Sequence, residues 1–325
     1  MPSDVIDPAT PEPIPEPELQ PLDTAQPEPA TRVALIGDLH VYSLWPAPWH
    51  MASKRLLGQT NLWLNRRKAF RHHRLHELVD KVVELQPDLA LCSGDLTTTA
   101  LRGEFETARR FLAPVAEAAT LLAVPGNHDK YTFTAARTRR MQRLLPGWVP
   151  ESFPHTQSIS PGWDLLALDA AIPRLRDAVG RIGSVQLEAI ATALDQRDPA
   201  RGLVVLCHYP CVVPPDVHEH DSHRLADAAA LREMLAKHTQ QGARVVYVHG
   251  HIHYPWFVEP GSNEDDTGSQ TAGDAVAQAG VPFTCINAGA PCMVSPEFPH
   301  GQGFGELVLP DNPAGTLIVR RHALD

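Results

Sequence analysis

Val33-Ala34-Leu35-Ile36-Gly37-Asp38-Leu39-His40 is a short apolar run that ends in a glycine, a carboxylate and an imidazole. Related arrangements recur four times downstream. The run 89–92 leads into Gly94-Asp95, and 121–124 leads through Pro125 into Gly126-Asn127-His128-Asp129. The run 203–207 leads into His208, and 245–248 into Gly250-His251-Ile252-His253. Each run is four or five residues long and Leu-rich or β-branched, the dimensions of a buried strand. Helical patterns lie between them. Leu75, Leu78, Val79, Val82 and Leu85 recur at steps of three and four until Pro87 stops them, and further helices are predicted over about 104–117, 185–194 and 225–238. Strands alternating with helices predict an α/β fold. Residues 283–322 read as strands with Gly- and Pro-rich turns, and 259–280 as a surface loop.

The loops at the carboxyl ends of strands in such a sheet gather on one edge, where ligands bind. Five strands would therefore bring three carboxylates (Asp38, Asp95, Asp129), one carboxamide (Asn127) and five imidazoles (His40, His128, His208, His251, His253) to a single rim. In extended chain, residues two apart point the same way, so Asp38/His40 and His251/His253 can each grip one metal. Mixed imidazole and carboxylate donors suit zinc, manganese or iron rather than calcium. There are too many donors for one tetrahedral zinc. They suit two ions about 3.5–4 Å apart that share a bridging carboxylate, a recurrent arrangement in phosphoester hydrolysis. His249 should point away by strand alternation. Residues 214–223, with His218, Glu219, His220, Asp221 and His223, read as a polar loop, or as a further metal or substrate contact.

In this order the blocks resemble the signature of the calcineurin-like metallophosphoesterase superfamily: Asp-x-His, Gly-Asp, Gly-Asn-His-Asp/Glu, His and Gly-His-x-His. The resemblance covers 33 to about 290. It implies an α-β-β-α sandwich, two sheets face to face with helices outside. It also implies two divalent ions (manganese, iron or zinc): one held by Asp38, His40, Asp95 and His253, the other by Asp95, Asn127, His208 and His251. Hydrolysis would then proceed by attack of a metal-bridging hydroxide. His128 would assist the leaving group, with Asp129 orienting it. Protein Ser/Thr phosphatases continue Gly-Asp as Gly-Asp-x-x-Asp-Arg-Gly, and purple acid phosphatases place a Tyr ligand there. Thr98 stands at that position, so neither branch fits. The runs SGDLTTTALRGEFETARRFL (93–112) and VPGNHDKYT (124–132) look most like bacterial class III cyclic-nucleotide phosphodiesterases and their relatives. A phosphodiesterase acting on a cyclic nucleotide or a lipid-linked phosphodiester or pyrophosphate is expected. The alternative is a catalytically silent protein that keeps the fold.

The formal net charge of -10 argues against nucleic acid as a partner. That sum hides opposed parts. Residues 1–31 carry seven acids, no Lys or Arg, and nine prolines, which predicts a disordered acidic tail before a domain over 32–325. Residues 41–76 carry Lys54, Arg55, Arg66, Arg67, Lys68, Arg71 and Arg74 with no acid before Glu77. With Trp45, Trp49, Trp63 and several leucines, this segment reads as a helical basic insert over the site. It is a cap packed on its own domain, an amphipathic surface for an anionic membrane or lipid substrate, or a site for another anionic partner or the acidic tail itself. Cys92, Cys207, Cys211, Cys285 and Cys292 form no Cys-x-x-Cys pair and fit buried thiols in a reducing compartment. With no secretory-type start and no apolar span, a cytoplasmic location is expected, peripheral at the inner membrane face if the insert docks there.

Overall fold

A computed structural model describes residues 29–43, 70–213, 221–258, 260, 282–294 and 302–324. The acidic tail up to residue 28 lies outside them, as does most of the loop expected at 259–280. Eleven strands among the described residues form two sheets. The first contains β1 (Ala30–Ile36), β2 (Leu89–Cys92), β3 (Thr120–Ala123), β10 (Gly303–Pro310) and β11 (Ile318–Ala323), in the order β11-β10-β1-β2-β3. The second contains β4 (His155–Ser160), β5 (Trp163–Ala167), β6 (Gly202–Leu206), β7 (Val245–His249), β8 (Trp256–Val258) and β9 (Thr284–Asn287), in the order β4-β5-β6-β7-β9-β8. β1 begins at Ala30, inside the stretch read as tail. Ala30 and Thr31 pair with Pro310 and Leu309 of the antiparallel β10, and this ladder fixes where the domain starts.

Strand alternation explains the layering. Val33 and Leu35 of β1 join Leu89, Leu91, Val204, Leu206, Val246 and Val248 in an apolar layer between the sheets. Ala34 and Ile36 face outward, against α1 (Arg74–Glu84) and α2 (Arg102–Ala118). On the far side, Val205, Val245 and Tyr247 pack under α5 (Ser184–Gln196) and α6 (Ala228–Gln240). α3 (Phe133–Arg137) and α4 (Arg140–Leu144) are single short turns after β3. The result is helix, sheet, sheet, helix. Because the inner strands of both sheets are covered on both faces, they are near-continuous apolar runs, which is why they stand out in the sequence. α1 closes where expected. Leu85 caps it, and Gln86 takes a left-handed backbone before Pro87.

Glu306 on β10 is 1% exposed yet charged. Arg32 Nε of β1 lies 3.1 Å from it, and His322 Nε2 and Arg320 Nη1 of β11 lie at 2.8 and 3.6 Å. Burial alone would raise its carboxyl. The hydrogen bond from His322 and the charges of His322, Arg320 and Arg32 outweigh that and hold it below the ordinary 4.5. A carboxyl with a lowered folded pKa contributes stability above its unfolded pKa and loses it as pH falls through the folded one. Glu306→Gln is expected to cost about 2 kcal/mol at pH 7, because Arg32 and Arg320 remain solvated when the acid is removed. In urea titrations the gap to wild type should close below about pH 4.5.

Candidate dinuclear metal centre

The five motif loops do meet, but not on one sheet. Asp38 and His40 follow β1, Asp95 follows β2, and Asn127 and His128 follow β3, all of the first sheet. His208 follows β6, and His251 and His253 follow β7, of the second. The face-to-face packing brings both carboxyl edges together.

Asp38, His40, Asp95 and His253 place one donor atom each within 4.8 Å of one another, and Asp95, His208 and His251 form a second such group. Asp95 belongs to both. Its Oδ2 lies 3.7 Å from His40 Nε2 and 3.5 Å from His208 Nε2. Asn127 Oδ1 stands 3.1 Å from His208 Nε2, on the side of the second group. The extended-chain reading of the His pair does not hold. His251 and His253 part to different groups, because Asp38, His40, Asp95, His251 and His253 all adopt positive φ (47–73°). Such backbone is strained for non-glycine residues and concentrates at functional sites. Glycine lets the chain close on these carboxylates. A Cβ on Gly126 would sit 2.1 Å from Asp95 Oδ1, and one on Gly250 2.3 Å from Asp38 Oδ2.

The donor set is largely buried and closely packed. Asp38 and Asp95 are 0% and 1% exposed, and imidazole nitrogens face each other at 2.9 Å (His40–His253) and 3.1 Å (His208–His251). Burial, opposed by His208 and reinforced by Asp95, pushes the Asp38 carboxyl up to about 8. Burial opposes the charge on His208 as well, yet the carboxylates of Asp95 and Asp38 raise it to about 9. Both groups thus hold protons where donor atoms converge, and two cations can take the place of those protons, so the residues fit them. The imidazoles are oriented from behind. His208 Nδ1 donates to Ser93 O (2.8 Å) and His251 Nε2 to His223 O (2.8 Å), which turns their other nitrogens inward.

The sequence match settles the affiliation: residues 31–255 fit the calcineurin-like phosphoesterase model. The chain belongs to this family. No curated protein sequence matches it. Among solved structures it is similar to a dimetal phosphatase from Danio rerio, at 15% identity and TM-score 0.58, covering 91% of this chain and 97% of that one. It is also similar to the purple acid phosphatase PPD1 from yellow lupin (Lupinus luteus), at 13% identity and TM-score 0.57, covering 91% of this chain and 52% of that one. At such identities the likeness is one of fold.

His128 is in neither donor group. Its ring meets His40 edge-on at 4.8 Å, and its Nδ1 donates to Thr98 O at 2.6 Å. Asp129, expected to orient this imidazole, has another task. Its carboxylate accepts from Leu96 N, Thr97 N, Thr97 Oγ1 and Gly126 N, and so staples the two loops on either side. Orientation of the ring falls to the Thr98 carbonyl instead. His249 stays out of both groups, packed on Trp256 on the helix-covered face.

Three contributors carried no sequence signal strong enough to find them. Phe70 is 3% exposed, with its ring 4.7 Å from His40 and 5.9 Å from His253, so the end of the basic insert covers the first group. The remainder of the insert, including the helix expected from Ser53 and the cations from Lys54 to Lys68, lies outside the described residues, as do 214–220. Lys130 pairs with Asp169, tying the loop after β3 to the end of β5. Glu104, the third residue of α2, reaches back to accept from Thr99 N, Thr99 Oγ1, Leu101 N and Ser43 N. Here a hint existed, since an acid three residues inside a helix start is the mark of a capping box. Glu104 thereby holds the segment whose Thr98 carbonyl positions His128. Glu104→Ala is expected to cost about 3 kcal/mol by leaving buried N–H groups unpaired, and Glu104→Gln to recover part of it. Thermal melts of both variants measure this. Among the described residues no helix is long and apolar enough to cross a membrane.

Proposed function

We propose that the protein is a dinuclear metal-dependent phosphodiesterase. The observation that carries this reading is the convergence of two donor groups on one shared carboxylate, Asp95, beside an imidazole, His128, that belongs to neither. Asp38, His40, Asp95 and His253 would hold one divalent ion, and Asp95, Asn127, His208 and His251 the other, with manganese, iron or zinc suited to the donors. When bound, such a pair supplies a nucleophile from water near neutral pH and offsets charge on the phosphoryl oxygens. The chain's own part is orientation and proton handling. Ser93 O and His223 O set the His208 and His251 rings. Thr98 O fixes His128 through Nδ1–H, which leaves Nε2 facing the site; as the imidazolium, the ring would yield its Nε2 proton to the departing alcohol oxygen and keep the one on Nδ1.

Within diesters and pyrophosphates, the candidate substrates are cyclic nucleotides, supported by the resemblance of 93–112 and 124–132, and lipid-linked phosphates, supported by the cationic, Trp-bearing segment 41–76. The same segment would dock on anionic lipid. Liposome co-sedimentation should then weaken with salt and in the triple variant Arg66→Ser, Arg67→Ser, Lys68→Ser. For the reaction, the test is turnover of bis(p-nitrophenyl) phosphate against p-nitrophenyl phosphate with manganese. Preference for the diester is expected. Faster turnover of the monoester would remove the diesterase part, and no turnover of either with any of the three metals would remove the whole reading.

A further inference from the structure

A cleft of about 250 Å³ opens behind the Asn127-to-Lys130 turn, between α3 and α4 on one side and the chain leaving β5 on the other. Neither donor group lines it. Its charged lining is Lys130, Arg139 and Arg140 against Asp129, Glu151 and Asp169. Most of this charge is spoken for. Lys130 pairs with Asp169, Arg139 Nη2 lies 2.8 Å from Glu151 Oε2, and the Asp129 oxygens are turned to four donors of the neighbouring loops. Arg140 differs. Among the described residues its partner is a neutral one, the Ala100 carbonyl, 2.6 Å from Nη1. Burial, and the neighbouring cation Arg143, lower its pKa, as expected of a guanidinium without a counter-charge.

We propose that this cleft binds a small oxyanion, a carboxylate or a phosphate, on the Arg140 guanidinium. With Nη1 on Ala100 O, the Nη2 and Nε donors of the fork remain, and this pair matches a carboxylate or phosphate edge in bidentate fashion. The volume is below the ordinary range of about 300–1,000 Å³ for drug-sized ligands, so the occupant is a single anionic group or a short molecule bearing one. Its position has a consequence for the neighbouring site. Ala100 O holds Arg140, and two residues earlier Thr98 O holds His128. An anion drawn onto Arg140 therefore bears on the segment that orients the imidazole. It is either the far end of a substrate or a free ligand.

The test is calorimetric titration of the full chain, treated with EDTA and dialysed so that the donor groups hold no metal, with inorganic phosphate and separately with acetate. Wild type should bind at least one of them. Arg140→Gln should weaken that binding tenfold or more, and Arg140→Lys, which keeps the charge but not the fork, should fall between. Should Arg140→Gln fail to fold, the Lys variant and the wild-type isotherm carry the test. No binding to metal-free wild type, or equal binding by wild type and the Arg140 variants, overturns the proposal, whatever the enzyme's activity. In the metal-loaded protein the two sources separate. Acetate that raises KM for a carboxylate-bearing diester but not for bis(p-nitrophenyl) phosphate marks a substrate end. Acetate that raises the melting temperature without changing either KM marks a free ligand.

Discussion

Asp95→Asn is expected to reduce diester hydrolysis by about 10³-fold or more, equivalent to about 4 kcal/mol of barrier. Bound metal should fall from two ions per chain to fewer than one. Asp95 is the one residue shared by both donor groups among the described residues, so a single charge removed from it weakens both at once. The exchange is close to isosteric. Oδ1 accepts from His128 N at 2.8 Å, a bond that an asparagine oxygen can keep, so the loop after β3 has a reason to stay in place. What changes is the other oxygen. Oδ2, between His40 Nε2 and His208 Nε2, becomes an NH2 group that offers protons where electron pairs are needed. Asp38→Asn is the control, since Asp38 stands in the first group alone and its loss should leave about one ion bound. Elemental analysis with circular dichroism reads both. Two ions retained by a folded Asp95→Asn protein would show that the groups do not share a bridge.

How much of this was legible depended on where each residue sits in its strand. Asp38, Asp95, Asn127, His208 and His251 could be singled out because each directly follows a run buried on both faces, and such runs are conspicuous. The division into two sheets was not readable from those runs, because β2 and β6 look alike although they lie in different sheets; only the family resemblance supplied it. β4 was missed for the opposite reason. It is an edge strand, His155–Ser160, with no fully buried residue, so its sequence HTQSIS is polar apart from Ile159. α3 and α4 span five residues each, too few for a helical period to show. Local geometry failed where the backbone left the common regions. Two-residue alternation assumes extended chain; left-handed His251 and His253 part to different groups, whereas Asp38 and His40, left-handed as well, still share one. The orienting role of Asp129 came from the resemblance alone, and its carboxylate turns instead to Leu96, Thr97 and Gly126. Phe70 was invisible, since an isolated aromatic at the end of a basic segment does not announce the imidazole it packs on.

His128→Gln separates the proton-handling role from the metal-holding one. His128 contributes to neither donor group, so two ions should remain bound. Its expected loss depends on the leaving group. For an alkyl alcohol, which departs poorly as an alkoxide, removal of a positioned acid should cost about 10²–10⁴-fold. For p-nitrophenol, which leaves readily as the anion, the same variant should lose far less. Asp129→Asn makes the comparison informative. Its oxygens bond Gly126, Leu96 and Thr97 rather than the His128 ring, so it should lower stability with a similar proportional loss on both leaving groups. Both classes of diester, assayed on both variants beside metal content, therefore yield two different signatures from adjacent residues. A His128→Gln protein that keeps its metals but loses activity equally on alkyl and nitrophenyl esters would assign His128 to stabilising the phosphoryl charge. The proton for the departing oxygen would then have to come from another group.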